Sequence, residues 1–98
     1  SEEVFEDLFS KIKSIRHNIK GIHLWGKREN ENGRKVAHVG NLNDYFSQDY
    51  VVKDLFLGYL FDVFDDNVER YFVPEVNSGT EDLHSIVSDL INSGITFK

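Results

Sequence analysis

The stretch that decides the fold is KGIHLWGKR, residues 20 to 28, in which a short apolar run lies between basic ends. Gly21 interrupts the helical pattern that precedes it, and residues 21–25 have the character of a short buried strand. His23 lies inside this run, just before the strand ends. A histidine in that position is either a core residue with one satisfied hydrogen bond or a functional group delivered to the tip of the strand.

Apolar residues at three- and four-residue spacing surround this strand. They predict a helix over residues 2–18 and a second long helix over about residues 50–64. A third helix is predicted from Thr80, which we expect to act as its N-cap, to a stop at Gly94. The tail ITFK, residues 95–98, either adds a short strand or packs down on the rest of the chain.

The second predicted strand is RYFVPEV, residues 70–76, and it follows the second long helix. Between the first strand and that helix, residues 26–40 form a polar connection that we interpret as a long loop, and residues 41–46 can form one helical turn. Two strands joined by a helical crossover predict a parallel α/β unit. Because parallel strands are normally buried between neighbours, we expect this single α/β segment, residues 1–98, to be incomplete on its own.

Composition excludes several classes of protein. The chain has 98 residues, 40% of them hydrophobic, which fits one small domain with a modest core. Its net charge of −6 argues against a nucleic-acid partner, since phosphate binding needs a clustered cationic surface. The apolar runs are too short for a membrane span or a signal peptide, so we expect no membrane partner. The absence of cysteine is compatible with the cytoplasmic location that we expect.

Three stretches, GIHLWGK, RKVAHVGNLND and YFVPEVN, resemble the C-terminal third of the xylose isomerase-like TIM barrels. That superfamily includes endonuclease IV, in AP endonuclease family 2, and many sugar-phosphate isomerases and epimerases. His23, His38 and Glu75 stand where members of the endonuclease IV type have a strand-end histidine, a loop histidine and a last-strand glutamate. The likeness covers about residues 19–95.

The resemblance implies a partial (β/α)8 barrel with a divalent-metal site at its C-terminal mouth. His23 and His38 would be nitrogen ligands of zinc or manganese, and Glu75 a carboxylate ligand or the general base. Lys27 and Asn77 are possible substrate contacts. The implied function is that of a sugar or sugar-phosphate isomerase or epimerase, and we expect this chain alone to be inactive because a whole barrel needs about 250 residues.

The sequence also departs from the family pattern. Val36 stands where the family has the aspartate of an Asp-x-His pair, and Trp25 and Gly26 replace an Asn-Asp pair after the strand histidine. These changes put metal binding in doubt, because they remove one ligand and the polar groups at the strand tip. Pro74 is unusual for a central strand, since it cannot donate to the sheet ladder.

Other interpretations of each candidate stay open. His23 can be a core histidine, His38 a solvated loop residue, and Glu75 a cap for the following segment. Lys27 can be loop solvation, and Asn77 can form a turn with the residues after it. For the whole chain, the alternatives are a non-enzymatic module that self-associates into a homo-oligomer, or a fragment of an endonuclease IV-like DNA-repair enzyme.

Overall fold

Two short strands pair in parallel, as the sequence predicts. In the computed structural model, which describes residues 2–97, strand β1 (Gly21–Leu24) lies beside strand β4 (Tyr71–Pro74). The register sets His23 opposite Val73. The connection between the two strands contains a long helix, so the α/β class and the parallel pairing are confirmed.

Four α-helices accompany the strands in the described residues. Their bounds are α1 Glu2–Ser14, α2 Leu42–Tyr45, α3 Tyr50–Phe64 and α4 Thr80–Asn92. Helix α3 has the predicted limits, and the Asp49 side chain caps it by accepting a hydrogen bond from the Val52 amide at 3.1 Å. The first helix was predicted to reach residue 18, but it ends at residue 14 and is followed by a 3-10 turn, Arg16–Asn18.

The interpretation of residues 26–40 as a long loop is wrong. They contain an antiparallel hairpin, in which β2 (Lys27–Glu29) pairs with β3 (Lys35–Ala37). Asn30 closes the hairpin, because its side-chain oxygen accepts hydrogen bonds from the amides of Asn32 and Arg34 at 3.0 Å. The local turn chemistry of Asn30 therefore organises a segment whose side chains are almost all exposed.

Two smaller expectations near the C-terminus also need correction. Gly79, with φ of 119°, occupies the N-cap position of α4, and Thr80 is the first helical residue rather than the cap. The tail forms no strand within the described residues. Instead the Phe97 ring packs on Phe72 with 5.4 Å between ring centroids. The final residue, Lys98, lies outside the described residues.

The hydrophobic core lies against one face of the parallel sheet. Its buried side chains come from α1, α2, α3 and α4: Phe9, Leu42, Leu57, Leu60, Val63, Ile86 and Leu90. Leu24 and Phe72 pack against this core from the sheet. The alternate residues of both strands face the other way and are exposed, with Tyr71 at 81% and Val73 at 41%.

The described residues, 2–97, form one parallel and one antiparallel sheet of two strands each, and they close no barrel. The fold is therefore a small α/β domain with one face of its parallel sheet uncovered by the residues described. No helix among the same residues is long and apolar enough to cross a bilayer.

Replacing Gly58 with alanine should stabilise the domain. Gly58 lies inside α3 on an exposed surface, and an added Cβ would meet no atom within 4 Å. Since glycine costs a helix interior about 0.5–1 kcal/mol relative to alanine, the free energy of unfolding should rise by that amount in urea titrations. Gly94→Ala is the contrasting variant and should destabilise, because φ is 114° there and the Cβ would lie 2.9 Å from the Phe61 ring.

An ion pair lies at the amino-terminal end of the parallel sheet, opposite the end that carries His23 and Glu75. Arg70 holds both carboxylate oxygens of Asp66, at 2.8 and 2.7 Å, and donates to the backbone oxygens of Ile19 and Arg16. The hydrogen bonds from Arg70 lower the pKa of Asp66 from 3.8 to about 2, against the opposing effect of desolvation. This pair anchors the segments that lead into β1 and β4.

The Asp66 pair should make stability fall in acid over a defined range. The unfolded carboxyl takes up a proton near its ordinary pKa of 3.8, whereas the folded one does so only near about 2. The stabilisation is therefore complete above about pH 4 and is lost as the pH falls towards 2. Urea midpoints of wild type and Asp66→Asn should converge across that range. Asp62→Asn, on an exposed pair with Lys13, should follow the wild-type curve.

Candidate functional site

His23 on β1 and Glu75, which directly follows β4, lie at the same end of the sheet. The strands run parallel, so their carboxyl ends meet there, and the Glu75 amide extends the pairing by donating to the Leu24 oxygen at 3.0 Å. His23 lies on the uncovered face, and side chains two residues apart on a strand share a face, which places Glu75 with Val73 on that side. His23 Nδ1 and Glu75 Oε1 are 2.6 Å apart.

The hairpin brings His38 to the same carboxylate. The His38 amide donates to the Gly26 oxygen at 3.1 Å, just beyond the paired residues of β2 and β3. Its backbone has φ of 65°, in the left-handed region that is costly for a residue with a Cβ. The ring stacks on Trp25 at 4.9 Å, and Nε2 lies 2.7 Å from Glu75 Oε2. The His38 imidazole is thus held by its backbone contact with Gly26, by stacking on Trp25 and by its contact with Glu75.

The structure therefore brings together the three residues that the sequence singled out. One carboxylate lies between two imidazoles, an arrangement that we call the His23–Glu75–His38 triad. Its members are 52 and 37 residues apart along the chain, so only the tertiary fold can assemble it. The side chains are 57%, 35% and 37% exposed, in that order, so a ligand can reach the triad from solvent.

The charge on Glu75 fixes the protonation of its partners. The hydrogen bond from His23 lowers the pKa of the Glu75 carboxyl below its usual range, desolvation opposes this, and the hydrogen bond from His38 lowers it further. The carboxylate is therefore ionised at neutral pH and can only accept hydrogen bonds. Both nitrogens that face it must carry protons. In neutral imidazoles the lone pairs then lie on His23 Nε2 and His38 Nδ1.

The atoms that face each other in the triad do not fit a metal shell. Ligands at bond lengths of about 2.0–2.2 Å around a tetrahedral zinc ion lie more than about 3 Å apart. Here the nitrogen–oxygen distances are 2.6 and 2.7 Å, which are hydrogen-bond distances that leave no space for an ion between the groups. Across residues 2–97, no group of three or more histidine, aspartate or glutamate side chains is placed to hold a metal ion.

Neither of the two possible substrate contacts is a member of the triad. Lys27 places its ammonium group over the Tyr45 ring, 5.8 Å from the centroid. Asn77 contributes its backbone, since its amide donates to the His38 oxygen at 2.6 Å. Its side chain is exposed, in the segment that leads from β4 to α4. Asn77 therefore helps to join the loop of Glu75 to the loop of His38.

Sequence reasoning missed a polar network behind the triad. Asp82 is only 8% exposed and accepts hydrogen bonds from Arg28 at 3.0 Å, Asn41 at 3.2 Å and Ser78 at 2.5 Å. Arg28 also reaches Asp44 at 2.8 Å. The network joins the hairpin, the start of α2, the loop after β4 and the first turn of α4.

One part of that network carries a local sequence signal. Asn41 and Asp44 form a capping box at the start of α2, in which each side chain accepts from the other's backbone amide. This geometry is that of capping residues rather than of substrate contacts. No such signal identifies Asp82 as the shared acceptor, because its donors come from three separate segments.

Comparison with known proteins adds no relative. No family model, no curated protein and no solved structure matches this chain.

Proposed function

We propose that this chain is the C-terminal α/β portion of a xylose isomerase-like barrel protein. The parent protein would be a cytoplasmic isomerase or epimerase that acts on a small sugar or sugar phosphate. The observation that carries the proposal is the His23–Glu75 hydrogen bond of 2.6 Å at the carboxyl ends of two parallel strands. Barrel enzymes place their chemistry at that end of their strands.

The triad is suited to moving a proton next to a carbonyl group. Glu75 accepts from His23 Nδ1, which leaves Nε2 as the proton acceptor that faces solvent. A neutral imidazole with a free ring nitrogen can accept a proton, as a general base must. In this proposal Glu75 orients His23, while His38 donates to the second carboxylate oxygen. His23 therefore takes the role of base that the family resemblance suggested for Glu75.

The uncovered sheet face supports the barrel part of the proposal. Parallel strands are normally covered on both faces, and here Tyr71 and Val73 are exposed on the face that carries the triad. In a barrel this face would line the interior. We expect the gene to encode about 150–200 residues of alternating strands and helices before Ser1, enough to complete a barrel. Sequencing upstream of Ser1 tests this, and a reading frame that starts at this domain would contradict it.

In this proposal, a divalent metal binds only to the imidazole lone pairs that point away from Glu75. A histidine ligand commonly donates its other ring N–H to a carboxylate, as His23 does here, so His23 Nε2 would hold zinc or manganese as an alternative to its role as base, and its lone pair would then not be free to accept a proton. Titration of each ion into wild type and His23→Ala, followed by the histidine NMR signals, tests this role. Equal responses from the two proteins would remove the metal from the proposal.

Deuterium exchange tests the proposed reaction in the parent protein. A ketose or ketose phosphate incubated in D₂O should gain deuterium at the carbon next to its carbonyl, as measured by proton NMR. His23→Gln should slow this exchange by about 10²–10⁴-fold, the usual contribution of a general base. His17→Gln changes an exposed histidine on the 3-10 turn and is the matched control. Equal rates for the two variants would exclude His23 as the base, and cleavage of lesion-containing DNA would favour the endonuclease alternative.

A second candidate function is self-association, favoured by the same uncovered face. Tyr71 is 81% exposed, Trp25 36%, and the outer edges of β1 and β4 have no strand partner among the described residues. A module of this kind would form homo-oligomers by covering the face or extending the sheet. Sedimentation of the 98-residue chain measures this directly. A dimer that Tyr71→Lys converts to a monomer would support it, whereas a monomer at all concentrations would exclude it.

A further inference from the structure

Two loops meet behind the triad, and each carries one of its members. Residues 38–41 follow β3 and begin with His38, while residues 75–79 follow β4 and begin with Glu75. Besides the contact between His38 and Glu75 themselves, two hydrogen bonds join the loops. The Asn77 amide donates to the His38 oxygen at 2.6 Å, and the Gly40 amide donates to the Ser78 hydroxyl oxygen at 2.8 Å. The second is the only one of the two that depends on a side chain.

The Ser78 hydroxyl is used twice. It accepts from the Gly40 amide and donates its own proton to Asp82 Oδ2 at 2.5 Å. Asp82 lies in the first turn of α4, and Arg28 of β2 and Asn41 also donate to it. Ser78 therefore connects the loop of His38 to a carboxylate that lies on a helix and is also bound by a strand residue.

The receiving loop has little freedom to adjust. Gly40 is buried with φ of 91°, and an added Cβ would lie 2.7 Å from the Asp44 carboxylate and 3.1 Å from Arg28. His38, two residues earlier, is held in the left-handed region. A change at Ser78 must therefore be passed to His38 through a short and closely packed segment.

We propose that Ser78 is a positioning residue, whose hydroxyl holds the His38 loop at the distance that lets His38 Nε2 donate to Glu75. The inference rests on the proposed function for its catalytic meaning, but its geometric content can be tested without any assay of activity. The Ser78 hydroxyl touches neither imidazole, and it acts on the triad through the Gly40 amide. His23, which β1 holds independently, should not depend on it.

The test compares three serine variants by NMR of ¹⁵N-labelled histidine. In Ser78→Ala, the His38 Nε2 proton should exchange with water about fivefold faster than in wild type, which corresponds to the net loss of one hydrogen bond. The His23 Nδ1 proton should keep its wild-type exchange rate. Ser78→Thr retains the hydroxyl and should restore slow exchange at His38. Ser93→Ala removes a part-buried hydroxyl that bonds only the Leu90 oxygen, away from the triad, and is the matched control.

The outcomes separate this inference from the proposed function. If the His38 Nε2 proton exchanges at the wild-type rate in Ser78→Ala, or exchanges equally fast in Ser93→Ala and Ser78→Ala, the role of Ser78 is overturned while the triad stays in place. Absence of both protected imidazole protons in wild type would instead refute the triad itself. Should Ser78→Ala fail to fold, exchange of the Gly40 amide in wild type and Ser78→Thr decides the matter. Slow exchange in both supports the hydroxyl contact, and rapid exchange in wild type contradicts it.

Discussion

Replacing Gly26 with alanine is expected to destabilise the domain by about 2–3 kcal/mol, the upper part of the usual cost of overpacking. Gly26 is buried in the connection between β1 and β2. A Cβ there would lie 2.8 Å from the Asn41 amide nitrogen and closer still to the carbonyl oxygen of the same residue. Because the obstacle is backbone rather than a movable side chain, the hairpin and the start of α2 would have to separate.

The same displacement should reach the triad, since the Gly26 oxygen accepts the amide proton of His38. Urea unfolding measures the loss of stability, and Gly21→Ala, at the start of β1, is the matched control. Its Cβ would lie 3.5 Å from the Tyr71 oxygen, an ordinary contact, so that variant should retain nearly wild-type stability. Equal stability of Gly26→Ala and Gly21→Ala would show that Gly26 and Asn41 are not packed as described.

Replacing Asp82 with alanine is expected to cost about 2–3 kcal/mol of unfolding free energy. The carboxylate is 8% exposed and satisfies three donors, those of Arg28, Asn41 and Ser78. Its removal leaves the part-buried donors without an acceptor, and an unsatisfied buried donor costs about 1–3 kcal/mol. Arg28 keeps Asp44 and is 43% exposed, so its share of the loss should be small.

Two further variants separate the network from general effects of charge. Glu81→Ala removes the neighbouring acid, which is exposed in the same first turn of α4, and measures the helix-dipole contribution alone. Asp82→Asn keeps the shape and one acceptor oxygen and should lose less than Asp82→Ala. Thermal and urea unfolding give the ranking, and a loss in Glu81→Ala as large as that in Asp82→Ala would contradict a role for the network.

The parts of the fold that sequence predicted are those with strong local patterns. The apolar spacing of α3 gave its bounds, and the two apolar runs gave the parallel strands. The hairpin was missed because β2 reads Lys-Arg-Glu and carries no apolar alternation. Its local signal lay in the turn, where Asn30 accepts two amide protons and Gly33 has φ of 77°. Polar turn chemistry, rather than burial, specifies this element.

The candidate site divides in the same way. A histidine at a strand tip and a glutamate after an apolar strand are visible as unusual residues in the sequence, and the fold places them 2.6 Å apart. The distances that distinguish a hydrogen-bonded carboxylate from a metal ligand are not visible in the sequence. Nor is the burial of Asp82, because it results from donors that approach from three segments of the chain. The sequence identifies these residues as unusual, but it does not show which of them share hydrogen bonds.

The most direct test of the account is a long-range ¹H–¹⁵N correlation spectrum of the ¹⁵N-histidine-labelled chain near neutral pH. The triad predicts that His23 carries its proton on Nδ1 and His38 on Nε2, with both protons bonded to Glu75. Glu75→Gln should release both, whereas His17 and His84, exposed elsewhere, should give unchanged reference signals. A spectrum in which His23 is protonated on Nε2, or in which Glu75→Gln leaves all four histidines unchanged, would contradict the central claim.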